Sequence, residues 1–158
     1  MKAPHIRIDY VLICEDIRLE LGNKPSAMGI FTDDVAVLQF PIHFPKFCFL
    51  IHGSVVNDVQ DVVVTATFHY PKLPEMVLAQ QNALRLNRAP GGFVLNLMIS
   101  PLVLAEPGEG ELILNFETGR RFRKKFTVQQ ATQSQLFGSP APFGKVSIPP
   151  VSPKQQLQ

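Results

Sequence analysis

The chain has 158 residues, 46% hydrophobic and 18% charged, with 14 Pro, 10 Gly, 12 Phe, no Trp and a formal charge of +2. At this length one domain buries roughly 68–70% of its unfolded surface without help from disulfides or a metal. The composition excludes a wholly disordered chain, collagen, a coiled coil and a helical membrane span, and the small net charge leaves only local electrostatic roles.

In chain order, residues 5–21 repeat at period two. Ile6, Ile8, Tyr10, Leu12 and Cys14 share one face, His5, Arg7 and Asp9 stand opposite, and Val11 and Ile13 fill the second face, as in a strand covered on both sides. Ile17, Leu19 and Leu21 then alternate with Asp16, Arg18 and Glu20 up to Gly22-Asn23, a hairpin dipeptide that tolerates positive φ. A return strand is predicted over residues 24–31, with Pro25 near its start because proline cannot donate to a ladder. Thr32-Asp33-Asp34 reads as a turn before the β-prone residues 35–38, and the two prolines of Pro41-Ile-His-Phe-Pro45 force an extended connection.

Residues 47–53 form a buried-type strand, and residues 61–70 are the clearest amphipathic one. There Val62, Val64, Ala66, Phe68 and Tyr70 point one way, with Val63, Thr65, Thr67 and His69 the other. Residues 75–87 are the one helix candidate, because Met76, Ala79, Ala83 and Leu86 are spaced for a single face; an irregular crossover fits the flanking prolines and the Gln-Gln-Asn centre equally well. A β-meander follows. Phe93, Leu95, Leu97 and Ile99 alternate, residues 106–110 turn, Leu112, Leu114 and Phe116 alternate, and the last strand, residues 120–129, places Phe122, Phe126 and Val128 inward.

Seven to nine short strands with at most one short helix predict an all-β fold, an antiparallel two-layer β-sandwich of immunoglobulin-like or similar topology over residues 1–130. Residues 131–158 carry Pro140, Pro142, Pro149, Pro150 and Pro153 among Gln and Ser, a composition that cannot form a core; they read as a disordered or partly extended tail, with Phe137 and Phe143 available to dock.

Catalytic spacing is missing. No GxSxG elbow, Walker A loop or GxGxxG occurs, and His5, His43, His52 and His69 show neither HxxxH nor HxH spacing, so no metal or cofactor is expected. Cys14 and Cys48 belong to no CxxC pair and sit in apolar runs, as buried free thiols do. With Arg7 and Asp9 interrupting the first apolar stretch, no secretory signal is expected and the cytoplasm is the expected compartment.

Two charged clusters remain. Arg121, Arg123 and Lys125 fall on one face of the last strand, about 6.8 Å apart, near the reach between successive phosphates. The stripe suits a nucleic-acid backbone, phosphate, an anionic lipid surface or an acidic partner strand, or else a solvated face guarding an edge. Glu15, Asp16, Asp33 and Asp34 form an acidic counterpart that would suit a hard cation if the first hairpin folds back, though Asp-Asp at a turn is ordinary turn chemistry.

The run Cys14-Glu15-Asp16-Ile17-Arg18-x-Glu20-x-Gly22-x-Lys24-x-Ser26-x-x-Gly29-Ile30 resembles the signature of an uncharacterised bacterial domain-of-unknown-function family, C-[DE]-D-[IV]-R followed by G-x-K-x-S-x-x-G-[IV]. The resemblance spans residues 5–130 and implies a small cytosolic bacterial protein, with no activity to carry over. The residues themselves favour a non-enzymatic sandwich acting through protein–protein contacts, as a homo-oligomer or an accessory subunit. The alternative is an anion-binding module built on the basic strand. A third and weaker reading is a hydrolase with a loop site around Asp33, Asp34 and His43.

Overall fold

Strands with one apolar face must pair edge to edge and then hide that face, and this chain does so by stacking two sheets. The structure, a computed structural model, describes residues 5–32, 34–56, 61–85 and 92–137. The elements are β1 (His5–Glu20), β2 (Lys24–Phe31), β3 (Asp34–Val37), β4 (Ile42–Phe44), β5 (Phe47–Val56), β6 (Asp61–His69), β7 (Met76–Arg85), β8 (Gly92–Ile99), β9 (Leu102–Leu104), β10 (Gly108–Phe116), β11 (Arg121–Gln130) and α1 (Gln133–Phe137). One sheet runs β2-β1-β5-β8 and the other β3-β11-β10-β6-β7, with β4 and β9 as a separate pair. All these pairings are antiparallel except β3 with β11, which is parallel. The fold is therefore an all-β sandwich, as the alternating pattern predicts.

The core lies between the sheets. Ile6, Ile13, Phe49, Ile51, Phe93, Leu95 and Leu97 come from the first sheet and meet Val62, Val64, Phe68, Leu112, Leu114, Phe126 and Val128 of the second. Phe47 is its hub. Fully buried, its ring stands 5.3 Å from that of Phe44, 5.5 Å from Phe49, 5.6 Å from Phe126 and 5.9 Å from Phe31. At one end Tyr70 donates its hydroxyl to the Glu106 carbonyl at 2.9 Å, joining the turn after β6 to the loop before β10.

Three expectations need correction. No helix forms over the described part of 75–87: β7 occupies Met76–Arg85, and residues 86 and 87 lie outside the described residues. An isolated helix of that length is marginal, whereas β6 offers a whole open edge, and β7 takes it with register shifts around Ala66. The first strand does not keep one apolar face from Ile6 to Cys14, because the pairing with β5 slips between Ile8 and Tyr10. One extra residue, Asp9, exchanges the faces, so Val11 and Ile13 continue the inner row of Ile6 and Ile8 while Tyr10, Leu12 and Cys14 turn outward. Gly110 is not a turn residue. It lies inside β10 opposite Phe126, where a Cβ would overlap the ring.

The short helix lies instead at the start of the 131–158 segment. Thr132 caps α1: Gln135 accepts from the Thr132 N–H at 2.8 Å and donates its own N–H to the Thr132 carbonyl at 3.0 Å. The rest of the predicted tail, and the side chain of Phe137, lie outside the described residues. Among the described residues no helix is long and apolar enough to cross a membrane.

Candidate functional site

The outer face of the first sheet is built by the Asp9 bulge. Once the bulge has turned Tyr10, Leu12 and Cys14 outward, they align with outward residues of the neighbouring strands in cross-strand rows. Ile30, Cys14, Cys48 and Met98 form one row across all four strands; Leu12, Leu50 and Asn96 form the next, and Tyr10, His52 and Val94 the third. Tyr10, Met28, Ile30, Val94 and Met98 are large apolar side chains left 43–55% exposed. Cys14, Cys48 and Leu50 lie among them and are buried, although they are not part of the inter-sheet core.

Charged groups border this apolar field at both ends. At one end the Arg7 guanidinium donates to Asp9 at 2.7 Å, the other Asp9 oxygen lies 3.0 Å from His52 Nδ1, and the His52 ring stacks on Tyr10 with centroids 5.1 Å apart. Ser54, two residues from His52, has a buried hydroxyl with no hydrogen-bond partner among the described residues. At the other end Asp16 accepts from Lys46 at 2.9 Å and from Arg18 at 3.4 Å. The Lys46 hydrogen bond, more than any other group, holds the Asp16 carboxyl below the usual carboxylate range.

The acidic counterpart does not assemble among the described residues. Glu15 and Asp16 are successive strand residues and leave β1 on opposite sides; Glu15 lies against Gly29 of β2. Asp34 begins β3 in the other sheet, opposite Thr127, and Asp33 lies outside the described residues. His43 is exposed in the middle of β4. Among the described residues no three His, Cys, Asp or Glu side chains are placed to hold a metal ion.

The basic stripe does form a single exposed face, with Arg121, Arg123 and Lys125 alternating along β11. Acids of β10 offset two of its three charges. Lys125 Nζ is 2.8 Å from Glu109 and Arg123 is 3.7 Å from Glu111, too far for a hydrogen bond but close enough for attraction. The Glu109 contact raises the Lys125 pKa. Nor is β11 an outer strand: β10 flanks it on one side, and β3 pairs with its Thr127–Gln130 end on the other. Edge protection thus applies only to its Arg121–Phe126 half.

Neither the Asp9, Tyr10, His52 group nor the apolar field was visible as a site in the sequence. Its one local sign was the unbroken run from Tyr10 to Cys14, too apolar for a strand with a wet face.

No family model matches the chain, and no curated protein does. Among solved structures it is similar to the Pseudomonas fluorescens alkylpurine DNA glycosylase AlkC bound to DNA containing an abasic site analog, at 10% identity and a TM-score of 0.46, covering 78% of this chain and 30% of that one. The chain thus spans less than a third of the glycosylase's length. It is also similar to superoxide reductase (neelaredoxin) from Ignicoccus hospitalis, at 10% identity and a TM-score of 0.29, covering 82% of this chain and 81% of that one. Its T24K form aligns at 8% identity with a TM-score of 0.32.

Proposed function

We propose that this protein is a non-enzymatic β-sandwich that works through protein–protein contact, docking its partner on the outer face of the first sheet. The apolar field there, with Tyr10, Met28, Ile30, Val94 and Met98 exposed, supports this reading. An antiparallel sheet with one wet face normally keeps that face mostly polar, and the second sheet does so with Thr65, Thr67, Glu109, Arg123 and Lys125 around Ile113 and an exposed Val77. An apolar centre with charged ends also matches the core-and-rim anatomy of interfaces. At ordinary strand spacings the field measures about 20 Å by 20 Å, on the order of 400 Å². A stable interface takes about 800 Å² per partner, so the partner must also cover the charged ends at Asp9 and Asp16.

The test pairs light scattering from low to high micromolar concentration with affinity capture, on wild type and an Ile30→Lys/Met98→Lys variant. Loss of self-association or of a captured partner in the folded variant is expected. Unchanged mass and unchanged partners in both would sink the reading.

Anion binding by β11 is the alternative, favoured by Arg121, which has no carboxylate partner among the described residues. Two offset charges leave few counterions to release, so binding would be weak and lost at physiological salt. Titration of labelled DNA and RNA at low salt against an Arg121→Glu/Arg123→Glu variant decides it: equal binding by both proteins, or none by either, removes this reading.

A further inference from the structure

We propose that Cys14 and Cys48 are a covalent modification site, a thiol pair that closes into a disulfide between β1 and β5 as the chain folds. They are the only two cysteines in the 158 residues, 34 positions apart, and the fold sets them directly opposite each other in an antiparallel pair. Directly opposed residues leave an antiparallel ladder on the same side, with Cα atoms about 4.5–5.5 Å apart. That lies within the span of about 4.4–6.8 Å that a disulfide bridges. Both residues sit outside the inter-sheet core, and the cross-link leaves the packing around Phe47 untouched. The thiols also feel each other, since Cys48 is among the groups that push the Cys14 pKa up.

The oxidant is a small dialkyl disulfide of the glutathione class. One cysteine thiolate attacks it, forming a mixed disulfide and expelling one small thiolate; the second cysteine thiolate then attacks the protein sulfur and expels the other. Two electrons pass to the oxidant, the two protein thiol protons end on the two released thiols, and one S–S bond replaces another. The attacking species is the thiolate, and native burial suppresses it: Cys14 is 0% and Cys48 1% exposed, desolvation pushes Cys14 up to about 11, and Cys48 is raised for the same reason. Closure therefore belongs to the folding chain, whose thiols are still exposed, while the reduced native protein resists the same reagent.

The experiment uses the wild-type chain. Reduced protein is unfolded in guanidinium and refolded in an oxidising glutathione mixture, while native reduced protein is held in the same mixture for the same time. Thiols are then counted under denaturing conditions and intact masses compared. The refolded monomer is expected to lose both thiols and the mass of two hydrogens, to yield a Cys14–Cys48 peptide link, and to melt about 10 °C higher than the reduced form. The native sample is expected to keep both thiols. Two free thiols in the refolded monomer, or bonds only between chains, overturn the proposal. Equal oxidation of the native and refolded samples overturns its coupling to folding. A Cys14→Ala/Cys48→Ala variant, checked for its β-sheet circular dichroism, should show no rise in melting temperature under the same treatment; an equal rise overturns the assignment.

Discussion

Replacing Phe47 by alanine removes the ring on which both sheets converge. Phe47 is fully buried and lies within 6.5 Å, centroid to centroid, of Phe31, Phe44, Phe49, Phe68 and Phe126, so truncation empties the middle of the core. Core Phe→Ala changes cost about 3–5 kcal/mol through lost transfer energy and the cavity left behind. This site should fall at the upper end, because the surrounding rings belong to strands of both stacked sheets and of the β4–β9 pair and cannot collapse inward. For a domain of this size that is a fall in thermal midpoint on the order of 10–20 °C. Phe47→Leu keeps most of the volume and should cost less than half as much. Guanidinium melts of the three proteins, followed by circular dichroism and tyrosine fluorescence, give the free energies directly. A Phe47→Ala loss below about 1 kcal/mol with an unchanged denaturant slope would refute the assignment of Phe47 as the hub.

Further outcomes follow from single contacts. Gly110→Ala drives a Cβ into the Phe126 ring, so the ring must leave its seat, at a cost of about 1–3 kcal/mol in the same melts. Tyr70→Phe leaves the Glu106 carbonyl without its donor and should cost about 1 kcal/mol. Burial holds Cys14 at about 11 against an ordinary value of 9.0, so above pH 9 the unfolded chain releases that proton first. Stability of the reduced protein should be whole below pH 9 and decline as pH rises towards 11, and Cys14→Ala should flatten the decline. Asp16 behaves oppositely: its lowered pKa contributes stability above 3.8 that is lost as pH falls through the lowered value, and Lys46→Met should remove part of that acid sensitivity.

The legibility of this molecule divides along a physical line. Alternation at period two is a local property, and where it is clean, over Asp61–His69, Phe93 to Ile99 and Leu112 to Phe116, it specified both strand and inward face, because each residue's side is dictated by its own neighbour. Hairpin chemistry at Gly22-Asn23, both at positive φ, was equally local. The candidate surface was not. Whether Tyr10 faces the core or water turns on one extra residue, Asp9, measured against β5 more than forty positions away, and a slip of one residue exchanges every side chain beyond it. The helical spacing of residues 75–87 was real but weaker than the open edge of β6 beside it. The basic stripe was visible in the sequence, but the acids of β10 that offset it were not, since pairing across strands has no trace in either segment alone. By itself the sequence determined an all-β sandwich and most of its inner faces. Only the tertiary structure decided which apolar residues remain outside and that Cys14 meets Cys48, because register relates distant segments and no local pattern encodes it.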